Sequence, residues 1–271
     1  MALRFYKYQG TGNDFIMIDD RNQVEFAHDK PGAETIAFLC NRQFGIGADG
    51  LILLRSSDKY DFEMVYFNSD GYEGSMCGNG GRCAVAFAKQ LGISHSETSF
   101  IAVDGVHQAR ILAGDSKQLM ISLQINHVKV ADRQNQPLVL DTGSPHLIVF
   151  ADQINDLKVE EEGRQIRYSE AYAAEGINVN FVEILRNDTL YVRTYERGVE
   201  RETLSCGTGV TAAALAAWIK GVKNVGNMYN IQTPGGFLKV SFTPPANENN
   251  QFTDIWLTGP ASQVFEGEIS I

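Results

Sequence analysis

The sequence predicts an α/β (α+β) fold of two pseudo-symmetric, duplicated domains, each a mixed β-sheet or barrel wrapped round a central helix. Three observations support this prediction. Short strand patterns bounded by glycine and polar turns recur along the whole chain. The order of landmarks in the first half returns in the second half. In each half, a Cys-Gly motif comes just before an apolar helical run, at Cys77 and again at Cys206.

Strands alternate with turns through the first half. We predict strands at 3–9, 15–18, 51–54, 62–67 and 119–123, a hairpin over 98–112 that turns at Asp104-Gly105, a helix from Asp29-Lys-Pro31 to about Arg42, and a central helix over 83–91. Proline fits the first turn of a helix, which favours the start at Asp29. The central helix is apolar on nearly all sides, so we expect it to be buried within its sheet.

The second half repeats this order. We predict strands at 138–140, 147–150, 177–182, 190–195, 229–232, 237–242, 255–257 and 263–271, a central helix over 210–219, and mostly surface structure over 152–169. Thr142-Gly143 follows Thr11-Gly12 by 131 residues, Leu185-Arg186 follows Leu54-Arg55 by 131, Cys206 follows Cys77 by 129, and Gly235 follows Gly105 by 130. The nearly constant spacing indicates a duplicated unit. We therefore predict domains at 1–125 and 126–262.

Composition excludes several classes of function. The chain has 271 residues, 44% of them hydrophobic, and a formal net charge of −10 at pH 7. This acidic balance argues against nucleic acid or an anionic membrane as the main partner. No apolar run approaches the ~18 residues of a membrane span, and the N-terminal pattern is that of a strand and not of a signal peptide. We expect a cytoplasmic protein.

The four cysteines, Cys40, Cys77, Cys83 and Cys206, could form two disulfides, but nothing in the sequence indicates secretion, so we expect free thiols. The spacing between Cys77 and Cys83 is unusual for zinc, and no nearby His or Cys pair completes four ligands. We predict no metal site. Cys40 and Cys83 lie in apolar helical runs, where a small core residue is expected.

Each Cys-Gly motif places a thiol at the start of a helix. The glycines let the backbone approach a ligand, and the first-turn N–H groups, from Gly78 and Asn79 or from Gly207 and Thr208, have no intrahelical acceptor. The helix dipole favours a thiolate, so we expect the pKa of such a cysteine below its free value of about 8.5. A pseudo-twofold arrangement would bring both cysteines to one cleft between the domains.

Two opposed thiols can invert a stereocentre. One thiolate takes a proton from a substrate carbon while the other thiol gives a proton to the opposite face. When that carbon is next to a carboxylate, the developing charge spreads onto the carboxylate oxygens, and helix N–H groups stabilise it. The sequence contains no dinucleotide-binding or Walker motif and no recognisable pyridoxal-phosphate lysine. We therefore predict catalysis without a cofactor.

Motifs along nearly the whole chain resemble the diaminopimelate epimerase family. They are Gly10-Thr-Gly-Asn-Asp-Phe15, Gly45-Ile-Gly-Ala-Asp-Gly50, Asn68-Ser-Asp-Gly71, Cys77-Gly-Asn-Gly80 with Arg82-Cys83, Pro145-His146, Asn178, Tyr195-Glu-Arg-Gly198 and Cys206-Gly-Thr-Gly209. The resemblance implies interconversion of L,L- and meso-diaminopimelate, in lysine and peptidoglycan-precursor biosynthesis, by a homodimer. It implies Cys206 as proton acceptor and Cys77 as donor in the L,L-to-meso direction. It also implies that the strand at about 263–271 returns to the first domain.

The resemblance assigns roles to further positions. Substrate-binding residues would be Asn13, Asn68, Gly78, Asn79, Asn178, Glu196, Arg197, Gly207 and Thr208, and the residues that tune the pKa of the thiols would be His146 and Glu196. The Asn amides and Arg197 would hold the distal amino and carboxylate ends of the substrate. The chain departs from the family at Ser144, where many relatives have Asn, and at Gly50, where some have a substrate-binding Gln.

The same sequence features allow other functions, and single residues allow other roles. A proline or hydroxyproline racemase shares the two-cysteine logic, but usually has His where this chain has Asn79. A phenazine-type isomerase of the same fold would lack the thiols. A non-catalytic amino-acid binding module would have no need of a second thiol. Asn13-Asp14 could be a simple turn, Glu196-Arg197 a solvated surface pair and His146 an ordinary loop residue.

Overall fold

Sixteen β-strands and four α-helices form within the part of the chain that the computed structural model describes, residues 2–22, 32–74, 76–115, 117–130, 138–222, 226–246 and 250–270. The chain divides into two compact units: the first comprises Met1–Leu123 with Gly259–Ile271, and the second comprises Gln124–Thr258. The last strand, β16 (Gln251–Ser270), begins in the second unit and ends in the first.

A closed barrel of eight strands forms the first unit. Its strands are β1 (Ala2–Gly10), β2 (Asn13–Asp19), β3 (Gly50–Arg55), β4 (Phe62–Asn68), β5 (Glu97–Ala102), β6 (Gly105–Gly114), β7 (Gln118–Ile125) and the end of β16. The strands are neighbours in this order, and β16 pairs with β1 to close the barrel. The predicted hairpin at Asp104-Gly105 is confirmed, since β5 and β6 pair there with Ala102 opposite Gly105.

The two helices of the first unit lie on opposite sides of the barrel wall. α2 (Gly78–Gln90) is buried from Gly78 to Ala88, and its glycines approach inward-facing side chains of β2, β3, β4, β5 and β7. α1 (Ala33–Cys40) packs on the outer face, against residues such as Ile16 and Leu51. Both faces of β3 are therefore covered, which explains its continuous apolar sequence.

The second unit repeats this plan around α4 (Gly207–Ile219). Its strands are β8 (Val128–Lys129), β9 (Leu138–Asp141), β10 (Pro145–Phe150), β11 (Asn178–Arg186), β12 (Thr189–Glu196), β13 (Arg201–Thr203), β14 (Met228–Thr233), β15 (Gly236–Thr243) and the start of β16. From β9 to β15, β13 aside, the pairings alternate antiparallel and parallel, as they do from β1 to β6 in the first unit. This shared pattern confirms the duplication.

The charged stretch 152–169 is mostly exposed, as predicted, but it contains two helices that were not predicted: a 3-10 helix (Ile154–Asp156) and α3 (Val159–Arg167), which packs on β11 and β12. Other predicted elements were wrong in detail. The separate strands predicted at 255–257 and 263–271 are parts of one strand, β16. The short β13 was not predicted. The first predicted helix ends at Cys40 and not near Arg42, and its predicted start at 29–31 lies outside the described residues.

The two structural cysteines are buried as expected, with 3% of Cys40 and none of Cys83 exposed. Within the described ranges, no group of three or more His, Cys, Asp or Glu side chains could hold a metal ion. The same residues contain no helix long and apolar enough to cross a membrane.

Candidate active site

The two central helices begin with the same local geometry. Cys77 is the N-cap of α2 with φ −105° and ψ 126°, and Cys206 is the N-cap of α4 with φ −116° and ψ 113°. Each cysteine carbonyl accepts the first helical hydrogen bond, from Gly81 at 2.7 Å and from Val210 at 2.9 Å. The thiol in each unit is thus fixed beside the first-turn N–H groups, where an anion is stabilised.

In the first unit, the Cys77 thiol meets an acceptor. Its Sγ donates to Asn13 Oδ1 at 3.5 Å, and Asn79 Nδ2 donates to the same oxygen at 3.4 Å. The other end of the Asn13 amide is fixed, because its Nδ2 donates to Asp49 Oδ2 at 2.6 Å. The amide oxygen therefore faces the thiol, and a hydrogen bond to an acceptor favours the protonated form of Cys77.

Asp49 belongs to an ionic network at the start of β2. Arg42 forms ion pairs with Asp14 at 2.7 Å and with Asp49 at 2.8 Å, and the buried Lys7 approaches Asp14 at 2.8 Å. Burial by itself raises the pKa of Asp14, but hydrogen bonds from Arg42 and Lys7 outweigh it and hold the pKa at about 2. Asp14 is therefore ionised at neutral pH and anchors the cations of the network.

Arg82 anchors the start of α2. Its guanidinium is fully buried and donates to Gly78 O at 3.1 Å, Asn79 Oδ1 at 2.9 Å and Thr11 Oγ1 at 3.3 Å. The Asn79 oxygen is thereby turned toward Arg82 and its Nδ2 toward Asn13.

Asn68 and Gly50 lie at the same end of the barrel as Asn13. Gly50 of β3 pairs with both Phe15 of β2 and Asn68 of β4. A Cβ atom at Gly50 would lie 2.5 Å from both Phe67 O and Tyr66 Cε2. The Tyr66 ring fills the space next to Gly50, so this chain has no room there for the Gln that some relatives carry.

In the second unit, Cys206 meets a hydroxyl. Its Sγ lies 3.4 Å from Thr208 Oγ1, and His146 Nε2 lies 2.9 Å from the same oxygen. His146 has no exposed surface, and burial lowers its pKa to about 3, so the imidazole is neutral at physiological pH. His146 Nδ1 contacts Asn180 Nδ2 at 3.0 Å. His146 is thus a buried partner of the Cys206 site and not an ordinary loop residue.

A second polar group of this unit surrounds Asn178. Asn178 Nδ2 donates to Ser144 Oγ at 2.9 Å, and its Oδ1 accepts from the backbone N–H of Arg197 at 2.8 Å. The Arg197 guanidinium donates to Glu175 O at 3.0 Å and to Ser144 Oγ at 3.4 Å. Ser144 therefore lies within the polar group and contacts two of its members.

Glu196 ends β12 beside this group, and its Oε2 accepts from Thr203 Oγ1 at 2.9 Å. Of the site residues predicted from the sequence, Asn13 and Thr208 contact the two thiols, and Asn79 and His146 contact these partners in turn. Asp49 and Asn180, the partners of Asn13 and His146, were not predicted from the sequence. A signal for Asn180 exists in the strand: it follows Asn178 by two residues, so both amides lie on one face of an otherwise apolar run.

Two such units, a closed barrel and a second sheet with the same alternation of strand pairings, each around a helix that starts at a cysteine, define a protein with the fold of racemases and epimerases. A phenazine biosynthesis protein of the PhzF family from Bacillus anthracis has a TM-score of 0.72 at 14% identity and covers both chains fully. A hydroxyproline epimerase from Agrobacterium vitis has a TM-score of 0.69 at 14% identity, over 100% of this chain and 93% of that chain. These likenesses concern the fold.

Sequence relatives identify the family. The model of the family "Diaminopimelate epimerase" matches residues 5–120 and 138–264. A diaminopimelate epimerase from Flavobacterium psychrophilum is 51% identical, over 98% of this chain and all of the relative. Another from Aquifex aeolicus is 36% identical, over 99% of this chain and 98% of the relative. The chain belongs to the diaminopimelate epimerase family, and it is an isomerase.

Proposed function

We propose that the protein interconverts L,L- and meso-diaminopimelate without a cofactor, with Cys77 and Cys206 as the two proton-transferring residues. The observation that supports this most strongly is the pair of helix starts: each unit has a cysteine at the N-cap of its buried helix. The proposal requires that both thiols reach opposite faces of one substrate carbon.

The hydrogen-bond partners favour different protonation states for the two thiols. Cys77 donates to an amide oxygen, which suits a thiol that gives a proton. Cys206 lies next to a hydroxyl that can donate to it, which suits a thiolate that takes one. In the L,L-to-meso direction, the Cys206 thiolate removes the α-proton and Cys77 delivers its proton to the other face. After one turnover Cys206 is a thiol and Cys77 is a thiolate. In the reverse reaction Cys77 therefore removes the proton and Cys206 delivers one.

The helix starts would also stabilise the reaction intermediate. When the α-proton leaves, negative charge spreads onto the neighbouring carboxylate. N–H groups of Gly78 and Asn79 in one helix, and of Gly207 and Thr208 in the other, are the donors suited to that charge. Asn13, Asn68, Asn178 and Arg197 would hold the distal end of the substrate, and Glu196 would accept from the reacting amino group.

Incubation with L,L-diaminopimelate in deuterated water tests the reaction directly. We expect the meso isomer to form with deuterium at one α-carbon, and proline and hydroxyproline to remain unchanged in parallel assays. Cys77→Ala and Cys206→Ala should each abolish epimerisation while circular dichroism shows a folded protein. Normal turnover in either variant would contradict the two-thiol mechanism.

Two further parts of the proposal rest on the sequence and the family resemblance: a homodimer and a cytoplasmic location. Light scattering of the purified protein tests the first, and a single-chain mass would contradict it. Cell fractionation tests the second.

A further inference from the structure

A chain of buried polar side chains leads from the wall of the second unit to Cys206. Thr194 Oγ1 donates to Asn180 Oδ1 at 2.9 Å, Asn180 Nδ2 lies 3.0 Å from His146 Nδ1, and His146 Nε2 lies 2.9 Å from Thr208 Oγ1. Thr208 Oγ1 in turn lies 3.4 Å from Cys206 Sγ. Asn180 and His146 have no exposed surface, and Thr194 is 3% exposed. Water is therefore excluded from the inner hydrogen bonds, those of Asn180 with Thr194 and with His146, whereas Thr208 at the outer end is partly exposed.

We propose that Asn180 is a positioning residue: it fixes the tautomer of His146 and thereby turns the Thr208 hydroxyl hydrogen toward Cys206. The catalytic consequence rests on the function proposed above, in which Cys206 is the proton acceptor. The direction of each hydrogen bond follows from the groups that can only donate or only accept.

The orientation of the Asn180 amide is set first. Its Nδ2 lies 3.3 Å from Leu147 O, a backbone carbonyl that can only accept. The amide nitrogen must therefore face Leu147, and the oxygen faces the Thr194 hydroxyl. With one N–H on Leu147 O, the second N–H of the amide points at His146 Nδ1.

The tautomer of His146 follows from this amide. Because Asn180 donates to Nδ1, that nitrogen must carry the lone pair, and the ring proton resides on Nε2. The low pKa of the buried ring, about 3, keeps it neutral, so a single tautomer is left. The positive charge of Arg197 disfavours protonation of the ring as well.

The direction of the Thr208 hydroxyl is the last step. Its oxygen accepts the Nε2 proton, so its own hydrogen is free to point elsewhere, and Cys206 Sγ is within reach. A hydrogen bond donated to sulfur stabilises the thiolate over the thiol. The other tautomer would reverse this, since an unprotonated Nε2 would draw the Thr208 hydrogen away from Cys206.

The position of Asn180 requires a residue without a side chain on α4, and that residue is Gly209. A Cβ atom at Gly209 would lie 2.3 Å from Asn180 Oδ1 and 3.3 Å from His146 Cε1. The second glycine of the Cys-Gly-Thr-Gly motif therefore makes room for Asn180, in addition to any role in ligand approach.

Two measurements that need no turnover test this inference. The first is the tautomer of His146, read from the nitrogen chemical shifts of the ring by NMR. The second is the titration of Cys206, read from thiolate absorbance in a Cys77→Ala background after subtraction of the Cys77→Ala/Cys206→Ala protein. We expect the proton on Nε2 in the native protein. We expect Thr208→Val to raise the midpoint of the Cys206 titration by about one pH unit, and Thr208→Ser to leave it nearly unchanged.

Asn180→Leu should produce a mixture of His146 tautomers and raise the Cys206 midpoint in the same direction. The matched control is Thr211→Val, because Thr211 is a buried threonine of the same helix whose hydroxyl donates to Gly207 O. It should leave both readouts unchanged. In the enzyme with both cysteines, Thr208→Val should lower kcat more than it changes KM and move the acid limb of the pH profile upward.

Three results would overturn the inference. They are a His146 ring protonated on Nδ1 in the native protein, a Cys206 titration unaffected by Thr208→Val, and a folded Asn180→Leu protein with the native His146 tautomer and the native Cys206 midpoint. If Asn180→Leu does not fold, the Thr208 pair and the native tautomer still decide the matter. Absence of activity on diaminopimelate would refute the proposed function, whereas the tautomer and titration results would stand on their own.

Discussion

Replacing Asp49 with leucine, which has a similar shape and no charge, should release the Asn13 amide from its fixed orientation. Asp49 Oδ2 accepts from Asn13 Nδ2 at 2.6 Å, and its carboxylate is held in turn by Arg42 at 2.8 Å. In the variant, the Asn13 amide can rotate by half a turn. Its NH₂ group would then face Cys77 Sγ, where the oxygen lies now.

The size of the effect follows from the hydrogen bonds. A hydrogen bond to a charged acceptor contributes about 1.5–3 kcal/mol, which corresponds to a preference of roughly tenfold to a hundredfold for the present orientation. The remaining contacts of the Asn13 oxygen, at 3.5 Å and 3.4 Å, are long and contribute less. A donor next to sulfur favours the thiolate, so Cys77 would lose the proton it must deliver.

We expect Asp49→Leu to lower kcat by about tenfold in the L,L-to-meso direction and to move the Cys77 titration to lower pH. The titration is measured by thiolate absorbance in a Cys206→Ala background. Asp49→Asn keeps an acceptor oxygen and should give an intermediate result. The matched control is Asp19→Leu, because Asp19 lies at the other end of β2 and pairs with Arg21. An Asp49→Leu protein with native kcat and a native Cys77 titration would refute the reasoning.

Three further predictions follow from other parts of the site. Arg197→Lys should raise KM for diaminopimelate by about tenfold, because an ammonium group cannot make the two parallel hydrogen bonds that a planar guanidinium makes to a carboxylate. An unchanged KM would show that Arg197 does not bind the substrate. Gly50→Ala should destabilise the fold by about 1–3 kcal/mol in urea unfolding, because its Cβ would overlap Phe67 O and Tyr66. Gly32→Ala is the control, because its Cβ meets no atom within 4 Å; it should cost only about 0.5 kcal/mol, for the loss of a favoured N-cap residue of α1. The pKa of His146 is about 3 in the folded chain and near 6.5 when unfolded, so between these values the unfolded chain binds the extra proton. The free energy of unfolding should therefore fall as pH drops from about 6.5 toward about 3, and less steeply in His146→Gln; equal slopes would show that His146 is not buried in the neutral form.

The fold was predictable where the apolar pattern was strong, as in the two central helices and the β5–β6 hairpin. α3 shows why a helix in a charged stretch was not predicted. This helix buries Val159 and Gly163, while most of its other residues are polar or charged. The repeat itself contained the missing signal, since α1 lies between β2 and β3 and α3 lies between their counterparts, β10 and β11. A spacing of about 130 residues applied to α1 would have predicted a helix near α3.

The types of residue in the site were predictable, but the direction of their hydrogen bonds was not. Which end of the Asn13 amide faces Cys77 is decided by Asp49, which lies 36 residues away in the sequence. The tautomer of His146 is decided by Asn180, 34 residues away. Such contacts depend on strand register and on close approaches between elements, for which local patterns give no information.

Duplication explains why the chain has two equivalent thiols, and it also creates a difficulty for the proposed chemistry. Two identical helix starts would favour the same protonation state for both cysteines, whereas inversion of a stereocentre needs one acid and one base at a time. The difference comes from the neighbours that the two units do not share. Cys77 faces an amide oxygen fixed by a carboxylate, and Cys206 faces a hydroxyl whose hydrogen a neutral imidazole leaves free. The backbone repeat thus places each thiol at an equivalent helix start. The side chains around the thiols differ: Asn13 and Asp49 lie beside Cys77, whereas His146 and Asn180 support the hydroxyl beside Cys206. In the proposed reaction, this difference makes one thiol the acid and the other the base.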